Sequence, residues 1–298
     1  DGAMYFCQAS HTAMGAPDHK WGFRPERLLS SAILRLDTSA ALAQAAPIDV
    51  KTEEGGHYDP TSAGAPLTIY ATGIRNSFDL VWHSNGSLYA ATNGSAAGGN
   101  TPASPDGTVP ALEHVRQTED DYLFRIERGA YYGHPNPLRG EYVLNGGNLT
   151  SGADLDEVAA YPVGTHPDRN FHHAIYSFGK NLSPCGGIEY HSNAFNGALR
   201  GKLLYVRYSG GDDIVAISVR EDGSASEVLT GIEGLAHFVN PVDLCEDPTN
   251  GRLYVAEFGS KRITLLRPKT GAMSAQVCRS VPARNLTTTI TSTQEPAR

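Results

Sequence analysis

The fold of this chain is indicated first by the stretch IRNSFDL at residues 74–80. Apolar residues recur along it as they do in a β-strand, and an Arg-Asn pair interrupts them near the start. Burying an arginine costs free energy unless its guanidinium meets a carboxylate or a comparable anion. We therefore expect Arg75 to lie early in a strand and to face an acidic, oxygen-rich ligand.

Two Asn-Gly turns follow this stretch. The turn at residues 85–86 leads into a second apolar segment at 88–89, and the turn at 93–94 comes soon after it. Asn-Gly pairs are typical of tight turns between strands. We predict that the backbone of the second turn is free to bind a ligand.

The turn-and-strand unit at 85–89 recurs along the chain. Similar units, each a glycine-containing turn before a short strand with an aromatic residue, lie at 1–5, 201–205 and 250–254. Such recurrence is typical of the blades of a β-propeller, although the irregular spacing leaves the hairpins of a β-sandwich as an alternative. The 32 glycines and 18 prolines agree with many short strands joined by turns. The sequence thus predicts an all-β protein.

Further apolar runs predict additional strands, at residues 30–36, 67–70, 120–126, 188–190, 203–208, 214–219, 242–245, 253–257 and 263–266. Residues 92–119 form a predicted loop, long enough to be either functional or disordered. Two glycines and two prolines exclude a helix or a central strand at 129–137. The residues after Cys278 are rich in Thr and Ser, so 279–298 are predicted to be a linker that can carry O-glycans.

The composition excludes several classes of protein. A net charge of −8 argues against a nucleic-acid surface. No apolar run approaches the roughly 18 residues that span a bilayer. The four cysteines have no CxxC spacing, which argues against a zinc knuckle or a thioredoxin motif and leaves three disulfide pairings open.

Glycosylation signals favour a secreted, extracellular glycoprotein. Five Asn-x-Ser/Thr sequons are present, at Asn85, Asn93, Asn148, Asn181 and Asn285. The first residues form a turn that opens into an apolar strand, without the charged segment that begins a targeting sequence. We therefore expect residue 1 to lie inside a larger protein.

Several ordered motifs resemble the glucose/sorbosone dehydrogenase family of soluble quinoproteins, which use pyrroloquinoline quinone (PQQ). They are residues 74–80, 88–94 and 120–136, and the segments 12–18, 240–243 and 254–259 are similar to the fungal PQQ-dependent pyranose dehydrogenases. The resemblance runs from residue 1 to about residue 270. It implies a six-bladed β-propeller with PQQ on its axis above a calcium ion. Residues 1–278 would be the C-terminal part of that propeller, without its N-terminal blades.

The resemblance also implies which residues bind the cofactor. Arg75 and Asn76 match the pair that lies under the quinone, and arginine suits this role because it binds carboxylates in a bidentate fork. Weaker matches to groups that face the PQQ carboxylates are Asn181, Arg207 and Asn240; the last replaces an arginine of the bacterial enzymes. The alternative for Arg75 is a structural ion pair at the end of a blade.

Calcium in the family is bound by PQQ and by consecutive backbone carbonyls, which match Gly94 and Ser95 here. Oxygen ligands on a flexible loop suit a hard cation. Ser95 replaces a family proline, and a glycan on Asn93 would compete with the calcium for this loop. Asp120 and Asp121 match an acidic pair that either holds calcium or caps the loop.

A catalytic residue is not assigned within the chain. Sugar oxidation needs a base that removes the hydroxyl proton, and the resemblance implies a histidine about ten residues upstream of residue 1. His11, His19 and His134 lie in predicted loops, where a histidine is usually solvated. None of them is given the catalytic role.

The sequence therefore predicts part of a secreted, PQQ- and calcium-dependent sugar dehydrogenase that oxidises a pyranose or aldose. The resemblance implies that electrons pass to a cytochrome partner or a dye. Without the base we expect little or no activity from this chain alone. One alternative is a non-catalytic propeller that binds a glycan or a protein. Another is a lactone or ester hydrolase, which would need a calcium ion ringed by carboxylates.

Overall fold

The structure is a computed structural model that describes residues 1–95, 97–154 and 156–268 of the 298-residue chain. Nearly all regular structure in these residues is β, which confirms the predicted class. The strands are β1 Met4–Gln8, β2 Ala32–Leu36, β3 Leu67–Thr72, β4 Ser77–Trp82, β5 Leu88–Thr92, β6 Gly99–Thr101, β7 Leu112–Val115, β8 Asp121–Ile126, β9 Tyr176–Gly179, β10 Pro184–Glu189, β11 Lys202–Arg207, β12 Asp213–Val219, β13 Ala225–Leu229, β14 Pro241–Glu246, β15 Leu253–Glu257 and β16 Arg262–Leu266.

Helices are few and short in the same part of the chain. The single α-helix described, α1, is Thr38–Leu42, and 3-10 helices lie at His19–Trp21, Pro137–Arg139 and Phe195–Gly197. None of these helices is long and apolar enough to cross a membrane. The predicted linker at 279–298, together with Cys278, lies outside the described residues.

The strands form small sheets of two to four members. Their orders are β1-β2-β3, β4-β5-β8-β9, β6-β7, β10-β11-β12-β13 and β14-β15-β16. In the β10 to β13 sheet, strands that follow one another in sequence pair antiparallel. A sheet of four consecutive strands has the form of a propeller blade.

The chain folds into two compact units. Unit 1 is Asp1–Leu80 with Ser87–Asn181, and unit 2 is Val81–Gly86 with Leu182–Arg298, described as far as residue 268. Each unit has an apolar core of its own. The core of unit 1 includes Ile33, Ala71, Ile74, Leu88, Ala90, Tyr122, Phe124 and Ile126. The core of unit 2 includes Tyr190, Leu204, Val206, Ile214, Ala216, Leu244, Leu253 and Val255.

The recurring turns that the sequence indicated are present. Gly2, Gly86, Gly201 and Gly251 have φ angles between 69° and 83°, a region that residues with a Cβ rarely adopt. They precede β1, β5, β11 and β15, respectively. A glycine at each turn therefore lets the chain reverse and begin the next strand without strain.

The prediction that Arg75 lies within a strand is wrong. β4 begins at Ser77, and residues 73–76 connect it to β3. Gly73 has a φ of 75° and turns the chain. The Ile74 amide then donates to the Ser31 carbonyl, and the Arg75 carbonyl accepts from Ser10, so neither bond belongs to a sheet.

The segment 92–119 is more ordered than predicted, because it contains the β6-β7 hairpin. The register of this hairpin is irregular, and the Leu112 amide donates to the Thr101 hydroxyl at 3.0 Å. Polar side chains thus replace part of the backbone ladder. A sequence rich in Gly, Ser, Thr and Pro does not reveal such a hairpin by its periodicity.

Neither the described cysteines nor the sequon at Asn148 adds support to the prediction of a secreted glycoprotein. No disulfide joins Cys7, Cys185 and Cys245 to one another, and burial raises the pKa of the Cys7 thiol to about 11. Asn148 is buried, and its side-chain amide donates to the Tyr161 carbonyl at 2.7 Å. A glycan at Asn148 is incompatible with this folded arrangement.

Candidate functional site

Arg75 is held by backbone carbonyls from two other segments of unit 1. Its Nε donates to the Ala13 carbonyl at 3.2 Å, and Nη1 donates to the carbonyls of Asn93 and Gly94 at 3.1 and 3.0 Å. The Trp21 ring centroid lies 5.5 Å from Cζ. Among the described residues Nη2 has no hydrogen-bond partner, so this nitrogen is available to a ligand.

The prediction that the second Asn-Gly turn has a free backbone is wrong. The Gly94 carbonyl accepts from Arg75, and the Gly94 amide donates to Asp121 Oδ1 at 2.8 Å. Ser95 exchanges two hydrogen bonds with Glu119, through the Ser95 amide to Oε2 at 2.9 Å and the Ser95 carbonyl from the Glu119 amide at 3.1 Å. Asp121 thus caps the loop, as one of the two sequence hypotheses stated.

A glycine is required at position 94 by the close approach of another segment. A Cβ added to Gly94 would lie 2.3 Å from the Asp120 carbonyl oxygen. We expect Gly94→Ala to push these segments apart and to lower the free energy of unfolding by about 2 kcal/mol, as overpacking does. Chemical denaturation measures this loss. A free energy of unfolding that is unchanged in Gly94→Ala would contradict the role of close packing.

The surroundings of Arg75 are acidic. Burial lowers the pKa of its guanidinium, and the negative charges of Glu119, Asp121, Glu26 and Asp18 oppose that effect. All four carboxylates are buried. One guanidinium among four carboxylates leaves an excess of negative charge, which favours a bound cation in this region.

A buried histidine and carboxylate lie beside this region. His134 Nε2 is 3.0 Å from Glu26 Oε1, which also accepts from the Thr12 hydroxyl at 2.6 Å, and Ser30 Oγ donates to Glu26 Oε2. Burial alone would raise the pKa of Glu26, but the hydrogen bonds and charge of His134 and the two hydroxyls lower it to about 2. Glu26 is therefore ionised at neutral pH.

The prediction that His134 is solvated is wrong. Its side chain is 2% exposed, and its backbone amide donates to the Gly73 carbonyl at 3.0 Å. Glu26 lies 108 residues away in sequence, so no local pattern could have paired them. The one available signal is the flanking Gly133 and Pro135, which place His134 in a rigid turn rather than a mobile loop.

A small cavity of about 10 Å³ has both Arg75 and His134 in its lining. The residues that line it are Gly73, Arg75, Thr92, Gly94, Glu119, Asp120, Tyr122, Phe124, Tyr132, His134 and Asn145. Two of these residues have a buried polar atom without a hydrogen-bond partner in the described part of the chain, Thr92 at Oγ1 and His134 at Nδ1, and Ser95 Oγ has none there either. Buried polar atoms without partners are rare and call for an explanation.

The oxygen atoms around Arg75 fit a hard cation, and the free nitrogen atoms fit an acidic ligand. The carbonyls of Gly94 and Ser95 each keep a second lone pair, and the carboxylates supply negative charge, as calcium requires. Arg75 Nη2 and the exposed side chain of Asn76, which has no partner among the described residues, suit the oxygens of PQQ. Because Nε and Nη1 are occupied, Arg75 offers one nitrogen rather than the expected fork.

The other predicted cofactor residues lie in different surroundings. Asn181 is exposed in unit 1, with a φ of 57°. In unit 2, Arg207 makes two hydrogen bonds of 2.7 and 2.6 Å to the buried carboxylate of Asp213. Asn240, also in unit 2, donates to the Tyr208 carbonyl at 3.1 Å. The structure thus joins Arg75 to Gly94 directly, whereas Arg207 and Asn240 have protein partners of their own.

A second group of candidate metal ligands lies elsewhere in unit 1. The ligand atoms of Asp154, Asp156 and His173 are within 4.8 Å of one another, the single such group among the described residues. The group borders a cavity of about 580 Å³. His173 is exposed and already bonded to Asp156 through Nδ1 at 2.5 Å, so this group does not need a metal to be stable.

Solved structures with a similar fold are sugar dehydrogenases and a related carbohydrate-active enzyme. The holo PQQ domain of a pyranose dehydrogenase from Coprinopsis cinerea is 12% identical, with a TM-score of 0.53, over 88% of this chain and 66% of that one. A family AA12 enzyme of Trichoderma reesei is 16% identical, with a TM-score of 0.51, over 88% and 64%. A glucose dehydrogenase is 13% identical, with a TM-score of 0.52, over 91% and 62%.

This chain therefore spans about two thirds or less of the length of these structures. The sequence matches no protein-family model and no curated protein. At identities of 12 to 16%, the TM-scores of 0.51 to 0.53 show a likeness of fold. The structural neighbours of this chain thus include the glucose and pyranose dehydrogenases that its sequence motifs resemble, and the fold they share is the fold of this protein.

Proposed function

We propose that this chain is part of a PQQ- and calcium-dependent dehydrogenase that oxidises a pyranose or aldose sugar. In this proposal residues 1–278 belong to a single six-bladed β-propeller. The observation that supports it best is Arg75, whose Nη2 is left open beside the Gly94 carbonyl in a fold shared with the PQQ domain of a pyranose dehydrogenase. The acidic surroundings of Arg75 agree with a cation at the same site.

Each residue has a specific task in the proposed site. Arg75 and Asn76 bind oxygens of the quinone cofactor, which when bound supplies the acceptor for hydride from the sugar. The carbonyls of Gly94 and Ser95 bind calcium. The Ala13, Asn93 and Gly94 carbonyls fix the guanidinium, so its orientation is set before any ligand arrives.

Asn181, Arg207 and Asn240 are proposed as weaker contacts to the PQQ carboxylates. Arg207 can take this role only by sharing its guanidinium with Asp213 or by leaving it, because both Nε and Nη2 are bonded to that carboxylate. The cytochrome acceptor and the extracellular location are proposed on the sequence resemblance and the sequons alone.

We expect this chain alone to show little or no sugar oxidation, because none of its own histidines is assigned as the base that the resemblance implies. The test mixes the purified chain with PQQ, calcium and several aldoses and follows dye reduction. The PQQ domain of the Coprinopsis cinerea enzyme is the positive control. Turnover close to that control would contradict the expectation.

The alternative function is a non-catalytic propeller that binds a glycan or a protein. The ion pair of Arg207 favours this alternative, because a residue predicted to bind the cofactor is already paired with the buried carboxylate of Asp213. Titration distinguishes the two: no PQQ binding in the presence of calcium, together with saturable binding on a glycan array, would support the binding module. Saturable PQQ binding would exclude it.

A further inference from the structure

The buried His134 is bonded on one side only. Its Nε2 faces Glu26 Oε1 at 3.0 Å and Thr12 Oγ1 at 3.4 Å. The Thr12 hydroxyl donates its single proton to Glu26 and therefore does not donate to Nε2. A carboxylate oxygen can only accept, so Nε2 must be the donor in its contact with Glu26 Oε1. The proton is therefore assigned to Nε2, and in the neutral ring Nδ1 carries a lone pair.

No group of the described residues uses that lone pair. His134 is 3% exposed, Nδ1 has no hydrogen-bond partner in that part of the chain, and the residue lines the cavity that Arg75 also lines. A buried polar atom without a partner costs about 1–3 kcal/mol. Because the hydrogen bond to Glu26 fixes Nε2 in place, Nδ1 avoids this cost only if a molecule in the cavity bonds to it.

The cavity has the size and polarity for one water molecule. Its volume of about 10 Å³ is close to the minimum that a water molecule occupies. Thr92, which is 4% exposed, lines the same cavity, and its Oγ1 likewise has no hydrogen-bond partner among the described residues. One water between Thr92 Oγ1 and His134 Nδ1 would satisfy both atoms.

We infer that Glu26, His134 and Thr92 form a proton-accepting site, in which one water molecule bridges His134 Nδ1 and Thr92 Oγ1. On acidification a hydronium ion of the solvent gives a proton to this water, one O–H bond of the water breaks as an N–H bond forms at Nδ1, and the water molecule is regenerated. The ionised Glu26 stabilises the resulting imidazolium through Nε2. The inference does not depend on the quinone, because every contact lies within unit 1.

Other charged groups also act on His134. Arg75 disfavours a second positive charge in the cavity, whereas carboxylates favour it. The charged or titratable groups that line the cavity besides His134 are Arg75, Glu119, Asp120, Tyr122 and Tyr132. Glu26 differs from all of these because it touches the ring directly.

The test uses the full chain, labelled with ¹⁵N histidine and without cofactor. Long-range ¹H–¹⁵N spectra report which ring nitrogen is protonated, and His134→Gln assigns the signal. We expect the proton on Nε2 at alkaline pH, a second proton on Nδ1 upon acidification, and a cross-peak between the ring and a long-lived water. A proton on Nδ1 with a bare Nε2, or no bound water, would overturn the inference.

Two variants test the role of the water and the role of the carboxylate independently. Thr92→Val keeps the shape of the side chain and should remove the water cross-peak while Nε2 remains protonated. Glu26→Gln should release the fixed tautomer, because an amide at position 26 can donate as well as accept, so that ring forms protonated on Nδ1 and on Nε2 both appear. An unchanged tautomer population in Glu26→Gln, or a retained water in Thr92→Val, would contradict the assignment. If Glu26→Gln does not fold, the wild-type and Thr92→Val spectra still test the position of the ring proton and the presence of the water.

Discussion

Replacing Arg75 with alanine is expected to weaken PQQ binding about a hundredfold and to lower the free energy of unfolding by about 3 kcal/mol. Binding weakens because one charge-assisted hydrogen bond from Nη2 is lost, a contribution of about 1.5–3 kcal/mol. Stability falls because the carbonyls of Ala13, Asn93 and Gly94 lose their common donor. These carbonyls belong to segments far apart in sequence, so their loss also loosens the loop that is proposed to hold calcium.

Equilibrium titration of PQQ into the calcium-loaded protein measures the first effect, and denaturant unfolding measures the second. Asn76→Ala is the matched control. Its side chain is exposed and has no partner among the described residues, so it should weaken binding without changing stability. PQQ affinity unchanged in Arg75→Ala would refute the proposed role of Arg75, whatever happens to the stability.

Replacing Glu26 with glutamine is expected to lower the free energy of unfolding by about 3 kcal/mol at neutral pH. The pKa of Glu26 is lowered from its ordinary value of 4.5 to about 2 in the folded protein. Because the folded value is the lower one, the ionised carboxylate favours the folded state. This contribution is fully present above pH 4.5 and is lost as the pH falls towards about 2.

The difference between the two pKa values corresponds to about 3 kcal/mol, since one pKa unit is about 1.4 kcal/mol. Glu26→Gln should therefore remove part of the acid sensitivity of the wild type between pH 4.5 and 2. Denaturant unfolding at a series of pH values measures it. Glu113→Gln, at an exposed position, is the control and should leave the profile unchanged. A Glu26→Gln profile parallel to the wild type over this range would show that Glu26 does not contribute.

Much of the fold is local in origin and could be predicted from the sequence. The alternation at residues 253–257 predicts β15 with the bounds that the structure has, and the runs at 214–219 and 263–266 predict β12 and β16 to within a residue. A strand shows its period within a few residues, and a turn glycine such as Gly251 lies next to the strand it starts. The class of the fold follows from such local signals.

The candidate site depends on contacts between distant segments and could be predicted only in part. Residue type alone predicts that the Arg75 guanidinium meets a carboxylate or a comparable anion, because leaving it unpaired would cost free energy. In the folded protein its partners are instead the neutral carbonyls of Ala13, Asn93 and Gly94. Folding also pairs Glu26 with His134 across 108 residues. Residue type sets the bonds that a side chain must make, whereas folding sets which atoms are near enough to make them.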